Sequence, residues 1–119
     1  HKSGALFTSD CFGALLQDVP TNAADLTDDE LRHGQVFWAT IDSPWLHSVD
    51  RATFDKQLDA IRQIEPTMVF SSHLPAAPGH MIGQLLASLA AVPAAQPFTG
   101  PDQTALEHLL ANVTGAAPR

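Results

Sequence analysis

The amino-acid sequence predicts an α/β domain that is incomplete as it stands. Three observations carry this reading: two short apolar runs with strand character, four helical segments with apolar stripes, and their order along the chain, strand, helix, helix, strand, helix, helix. Two strands separated by helices suit a crossover within an α/β layer. Strands buried on both faces need neighbours, however, and this chain supplies few.

The first strand is expected over Gly4–Ser9, ending at a tight turn, Asp10-Cys11-Phe12-Gly13, where Asp10 can bond nearby backbone amides and Gly13 tolerates positive φ. Leu15 to Ala24 shows no periodicity and reads as a loop. Thr27-Asp28-Asp29-Glu30 matches a capping box, with Leu26 and Leu31 placed as a hydrophobic staple, so a helix is expected from Asp28 to Ile41, ending near Ser43-Pro44. Asp50 caps a second helix, Arg51 to Glu65, with Phe54, Leu58 and Ile61 on one face, and Pro66 ends it. Thr67–Ser71 is the second strand, leading into Ser72-His73-Leu74-Pro75 and a proline- and alanine-rich turn. A third helix is expected over Gly79–Val92 with Leu85, Leu86 and Leu89 buried, and a fourth over Asp102–Val113 with Leu106, Leu109, Leu110 and Val113 inward. Residues 1–113 form part of one domain and 114–119 a frayed tail.

Composition limits the function classes. With 45% hydrophobic and 16% charged residues, the 119-residue chain has globular rather than disordered character. A net charge of −7 and the lack of a basic run make nucleic acid a poor partner. Cys11, the one cysteine, excludes an intrachain disulfide framework and a multi-cysteine zinc site, and fits a reducing cytoplasm. No apolar stretch is long enough for a membrane span. The chain begins at His1 without a methionine, just before a strand, and a truncated start is expected from this.

Asp10 and His73 follow the two best strands, and ligand sites in α/β sheets gather at the carboxyl ends of strands. A carboxylate can bridge two metals, and neutral imidazole suits zinc or iron. The plainer alternative gives Asp10 a turn-capping role and His73 a hydrogen bond at a strand end.

The run Leu6-Phe7-Thr8-Ser9-Asp10-Cys11-Phe12-Gly13 resembles a ligand segment of the metallo-β-lactamase superfamily, especially its flavodiiron-like, oxygen-binding branch. Val69-Phe70-Ser71-Ser72-His73-Leu74-Pro75 is similar to that branch's last ligand segment. The resemblance implies the C-terminal half of an αββα sandwich with a two-metal centre at one edge. It makes Asp10 the bridging carboxylate and His73 the last histidine of the second metal, and it places two irons or two zincs in the full-length parent, with none required in this fragment. The family's earlier His-x-His/Glu-x-Asp-His segment and a later histidine have no counterpart here, and Leu74 stands where flavodiiron proteins commonly carry glycine.

Further candidates for the pocket are Cys11, Phe12, His47, Leu74 and His80. Each has a plainer role: Cys11 as a small buried hydrophobe, His80 as a cap of the third helix, His47 with His33 and His108 as surface or half-buried residues. Trp38, Trp45 and Phe37 are expected in the core rather than as a substrate platform. Asp28-Asp29-Glu30 complements a helix N-terminus and is not a calcium loop. No nucleophile elbow or phosphate-binding glycine loop is present.

The expectation is therefore a fragment of a metal-dependent enzyme, inactive alone. Its parent would act either as a hydrolase on a small-molecule substrate or as a di-iron oxygen or redox enzyme with an external electron donor. The alternative is a non-catalytic module that self-associates as a homo-oligomer through faces left open by a missing N-terminal half.

Overall fold

Residues 5 to 7 and 68 to 71 pair side by side at the centre of the fold in the computed structural model, which describes residues 4–115. The first strand, β1 (Ala5–Phe7), runs parallel to β2 (Met68–Ser71) in the register Ala5↔Met68, Leu6↔Val69, Phe7↔Phe70. Between them lie α1 (Asp28–Asp42) and α2 (Arg51–Arg62), so the connection crosses over through helices, as a parallel pair requires. A third strand, β3 (Leu74–Pro78), returns antiparallel to β2, giving a sheet in the order β1-β2-β3. Then come α3 (Ile82–Ala91) and α4 (Gln103–Thr114), completing a small mixed α/β domain of four α-helices and three strands among the described residues. None of these helices is long and apolar enough to cross a membrane.

The third strand corrects the expected proline- and alanine-rich turn. β2 and β3 are joined through Ser72 and His73 alone, so the residues after His73 fold straight back along β2. Pro75 and Pro78 lack a backbone donor, which restricts proline to edge strands and irregular positions. β3 satisfies both conditions: its far side meets only the isolated bridge Asn22↔Ala76, and its register shifts between Val69 and Ser71. Gly79 then turns the chain where a Cβ would run into the Pro66 carbonyl.

The helix starts follow their sequence signals. Thr27 Oγ1 accepts from the Glu30 amide, and the Glu30 carboxylate accepts from the Thr27 amide at 2.8 Å, which closes the capping box and holds the Glu30 carboxyl below its ordinary value. Asp50 caps α2 through the Thr53 amide and hydroxyl, with the same consequence for its carboxyl. The ends deviate more. α2 stops at Arg62, not Glu65, because Glu65 precedes Pro66 and takes a left-handed φ of 50°. The expected third helix is divided: 79–81 is a 3-10 turn, the α-helix covers 82–91, and a further 3-10 turn at Val92–Ala94 contains Pro93. Of the expected tail 114–119, Thr114 ends α4 and Gly115 caps it with φ 67°, while 116–119 lie outside the described residues, as do His1 to Ser3.

The core fills the space between one face of the sheet and the helices. Leu6, Val69 and Ala77 point to that side, against Leu31 of α1, Leu58 of α2, and Leu85, Leu86 and Leu89 of α3. Strand side chains alternate between faces, so Phe7 and Phe70 emerge on the other side, stacked with centroids 5.2 Å apart and with Phe7 76% exposed. No helix covers that face among the described residues. The expected inward stripe of α4 is also overturned: Leu106, Leu109, Leu110 and Val113 are all exposed, and α4 buries no residue. Its stripe is real, but the body of the domain does not reach it. Trp45 and Phe37 are likewise exposed rather than core, and Trp38 is half-buried.

One polar side chain is misplaced by ordinary packing rules. Gln35 is 1% exposed on the row Leu31, Gln35, Ala39 of α1, and among the described residues neither its amide nitrogen nor its oxygen has a hydrogen-bond partner. A buried group left unsatisfied costs about 1–3 kcal/mol. Gln35→Met, which keeps the length of the side chain and removes both polar atoms, is expected to raise the unfolding free energy by about 1 kcal/mol or more, read from urea denaturation. An unchanged or lowered midpoint would mean the amide is satisfied.

Candidate functional site

Two turns leave the same end of the parallel strand pair and are stitched together by hydrogen bonds. Past β1, Thr8 donates its amide to the Phe70 carbonyl at 3.0 Å, and Ser9 turns with φ 51°. The chain then closes on itself: the Cys11 amide donates to the Thr8 carbonyl, the Gly13 amide to the Asp10 carbonyl, and Thr8 Oγ1 to the Cys11 carbonyl at 2.8 Å. Phe12 takes φ 66°, an unusual conformation for a bulky residue, and its ring is fully buried. The hairpin turn past β2 is tied to the first turn by the Ser72 amide and the Ser71 hydroxyl, both donating to the Ser9 carbonyl, and by the Ala14 amide, which donates to the His73 carbonyl at 2.9 Å.

This stitching brings Asp10 and His73 together. His73 Nε2 lies 3.1 Å from Asp10 Oδ1, and the two side chains are 47% and 52% exposed. The carboxylate therefore engages the imidazole, and no backbone amide among the described residues donates to it, which sets aside the turn-capping alternative for this side chain. Trp38 of α1 braces both residues. Its indole Nε1 donates to the Asp10 carbonyl at 3.1 Å, and its ring lies 4.3 Å from the imidazole at a tilt of 41°. Trp38, expected in the core rather than as a substrate platform, is half-buried instead and faces the turns at the end of the sheet. The sequence sets Trp38 inside a helix, far from either predicted strand end, and only the amphipathic character of indole hinted at a polar contact.

A cleft of about 210 Å³ opens on the other side of the Asp10 turn. Buried Phe12, Leu46, Phe54 and Leu89 line it together with Trp38 and the exposed Trp45. Its charged lining residues are Asp10 and Asp42. Asp42 is the functional candidate that sequence reasoning passed over. Cys11 also reaches this cleft, and the residue is exposed rather than a buried hydrophobe. Its thiol is nevertheless pushed above the ordinary value by desolvation, with the Asp42 carboxylate adding to the rise and a backbone hydrogen bond at Phe12 opposing it. A thiol held in its neutral form is a poor nucleophile.

The remaining candidates are dispersed. Leu74 is buried beside His73, in a shallow hollow with Ala14, Leu16 and Pro75. His47 sits in the 3-10 turn Pro44–Ser48 with Nε2 buried and unpartnered, and it does not line the cleft. His80 is exposed and makes no side-chain cap on α3. His33 is exposed on α1, and His108 on α4.

Donor spacing tests whether Asp10 and His73 fit a metal. Ligand atoms about 2.0–2.2 Å from one ion stand roughly 3.0–3.5 Å apart at angles between octahedral and tetrahedral. The observed 3.1 Å lies in that range, and both side chains are open to solvent. The two donors thus fit two corners of a coordination shell. No group of three or more His, Cys, Asp or Glu placed to hold a metal occurs among the described residues. Comparison with protein-family models, with curated proteins and with solved structures finds no match to this chain.

Gly13 is where the brace is most sensitive. A Cβ at that position would stand 2.5 Å from the indole Nε1 of Trp38. Gly13→Ala is expected to displace Trp38 and destabilise the domain by about 1–3 kcal/mol, as overpacking does. In nuclear magnetic resonance spectra the His73 ring protons should lose their ring-current shift. A variant with wild-type stability and an unmoved His73 would show that the brace is not tight.

Proposed function

We propose that Asp10 and His73 are half of a two-metal centre in a metal-dependent enzyme built on the metallo-β-lactamase sandwich, of which this chain supplies the C-terminal half. The spacing of the two donors, 3.1 Å at the carboxyl ends of two parallel strands, is the observation that supports this reading. Asp10 would serve as the bridging carboxylate, and His73 would hold the second ion. Two ligands are too few for a catalytic metal, which commonly takes three plus water. The others come from outside the described residues, and the described residues alone do not turn over substrate. When bound, such a centre supplies Lewis-acid activation of water for hydrolysis or, as two irons, one-electron chemistry on oxygen with an external electron donor. The part of this chain is to hold and orient: the Ser9 carbonyl fixes the His73 turn, and the Trp38 indole fixes the Asp10 backbone.

Elemental analysis of the intact parent protein tests the reading. Close to two irons per chain is expected for the redox form and close to two zincs for the hydrolytic one. Asp10→Ala is expected to remove most of either metal, because a bridging carboxylate touches both ions. Wild-type protein without metal, or an Asp10→Ala variant that keeps its full complement, would sink the assignment.

A second reading, a non-catalytic module that self-associates, is favoured by a separate observation. The α4 stripe Leu106, Leu109, Leu110 and Val113 and the Phe7–Phe70 pair leave apolar surface uncovered on two parts of the domain. A helix of twelve residues is marginal in water by itself. A second copy, presenting the same stripe, is the occupant on this reading. Sedimentation is expected to give a dimer or larger species that Leu109→Glu returns toward monomer; a monomer at all concentrations would dismiss it.

A further inference from the structure

The cleft beside Asp10 has features that the metal pair does not use. Its interior is apolar and aromatic, with Phe12, Phe54 and Leu89 buried and the indole of Trp45 63% exposed. Its charged lining is wholly acidic, since no Lys, Arg or His lines it. Asp42 is half-buried, and its one side-chain partner among the described residues is the Ser43 hydroxyl, which donates to Oδ2 at 3.1 Å. Among the described residues no cationic side chain pairs with it. A carboxylate on the wall of an apolar cleft is the kind of convergent polar group that orients a ligand there.

The position of Asp42 along its helix makes this more pointed. Asp28, Asp29 and Glu30 occupy the first turn of α1, where the helix dipole favours acids. Asp42 is the last residue of the same helix, where the dipole disfavours a carboxylate, and no basic residue lies in that last turn to offset it. Helix stability therefore does not account for an acid at 42. A cation entering the cleft would offset the carboxylate at this helix end, and an exposed indole beside it offers the negative face that attracts organic cations.

We propose that the cleft between Trp45, Asp42 and the Phe12–Phe54 floor binds a small organic cation with an apolar body, an alkyl- or arylammonium. Its ammonium group meets the Asp42 carboxylate and the Trp45 ring, and its hydrocarbon lies against Phe54 and Leu89. A volume of about 210 Å³ matches the liquid volume of about seven waters, which sets the size class at a short amine. Asp10 borders this cleft as well as belonging to the proposed metal pair, but the two residues that would select the cation, Asp42 and Trp45, are not part of that pair. The cation preference is expected in chelator-treated protein as well.

The test is a titration of the isotopically labelled protein, followed by amide shifts, with three probes of one shape and different charge: phenethylammonium, phenethyl alcohol and phenylacetate. Phenethylammonium is expected to bind at least about tenfold tighter than the alcohol, and phenylacetate weakest, with shifts at residues 42, 43, 45, 46 and 54. In Asp42→Asn the amine and the alcohol should come within about twofold of each other, while alcohol binding is unchanged. That variant removes a charge from the unfavourable end of α1 and should fold at least as well as the parent. Trp45→Ala, at an exposed position, should weaken both ligands. Raising the ionic strength should narrow the preference in the unsubstituted protein, which needs no variant. Equal binding of amine and alcohol, tighter binding of phenylacetate, no shifts up to the solubility limit, or a preference that survives Asp42→Asn would each overturn the proposal.

Discussion

The parallel pairing of β1 with β2 is the constraint on which the rest depends. Asp10 and His73 each lie three residues past the last paired residues, Phe7 and Phe70, so the register of the strands continues into the turns and sets the two side chains at the same level. The Thr8 and Ser72 amides carry that register forward by bonding to the Phe70 and Ser9 carbonyls. A shift of one residue in either strand would send one partner to the opposite face of the sheet. The long intervening segment has no such restriction, because loop-closure entropy grows only slowly with length.

The same pairing divides the domain into a finished side and an unfinished one. Toward α1, α2 and α3 the sheet contributes Leu6, Val69 and Ala77 to a continuous core. Away from them it presents Phe7 and Phe70, stacked on each other and exposed. Two aromatic rings stacked in solvent retain the enthalpy of their contact but little of the gain from leaving water. α4 repeats the pattern at another site, with a good cap at Asp102 and a clear stripe whose residues all stay exposed. Local signals specify both elements well; what neither contains is its own burial.

This division also explains how far the fold and the site were legible in the sequence. Caps are local, so Thr27, Glu30 and Asp50 could be read directly, and the helix starts at 28 and 51 followed. A turn at Asp10–Gly13 was legible as well, but its positive φ falls at Ser9 and Phe12 and not at Gly13. The juxtaposition of Asp10 and His73 was legible too, since both residues end strand-like runs that an α/β layer aligns. Direction and environment were not. Periodicity shows that α4 has an apolar face but not that anything meets it, and proline-rich composition hid β3, because an edge strand can do without the donors that Pro75 and Pro78 lack. Trp38, Trp45 and Asp42 form the surroundings of the site, and these depend on where the C-terminal end of α1 comes to rest. No spacing in the sequence encodes that.

Trp38 gives the domain an optical property tied directly to its chemistry. Its indole lies 4.3 Å from the imidazole of His73, close enough for excited-state electron transfer between the rings. A protonated imidazole accepts an electron from excited indole far better than a neutral one. The emission of Trp38 therefore carries a record of the state of His73, whether the imidazole bears a proton, shares its hydrogen bond with Asp10, or is drawn onto another Lewis acid. With only one other tryptophan in the chain, Trp45, replacing that residue would leave Trp38 as a single built-in reporter, with no label added to the site it watches.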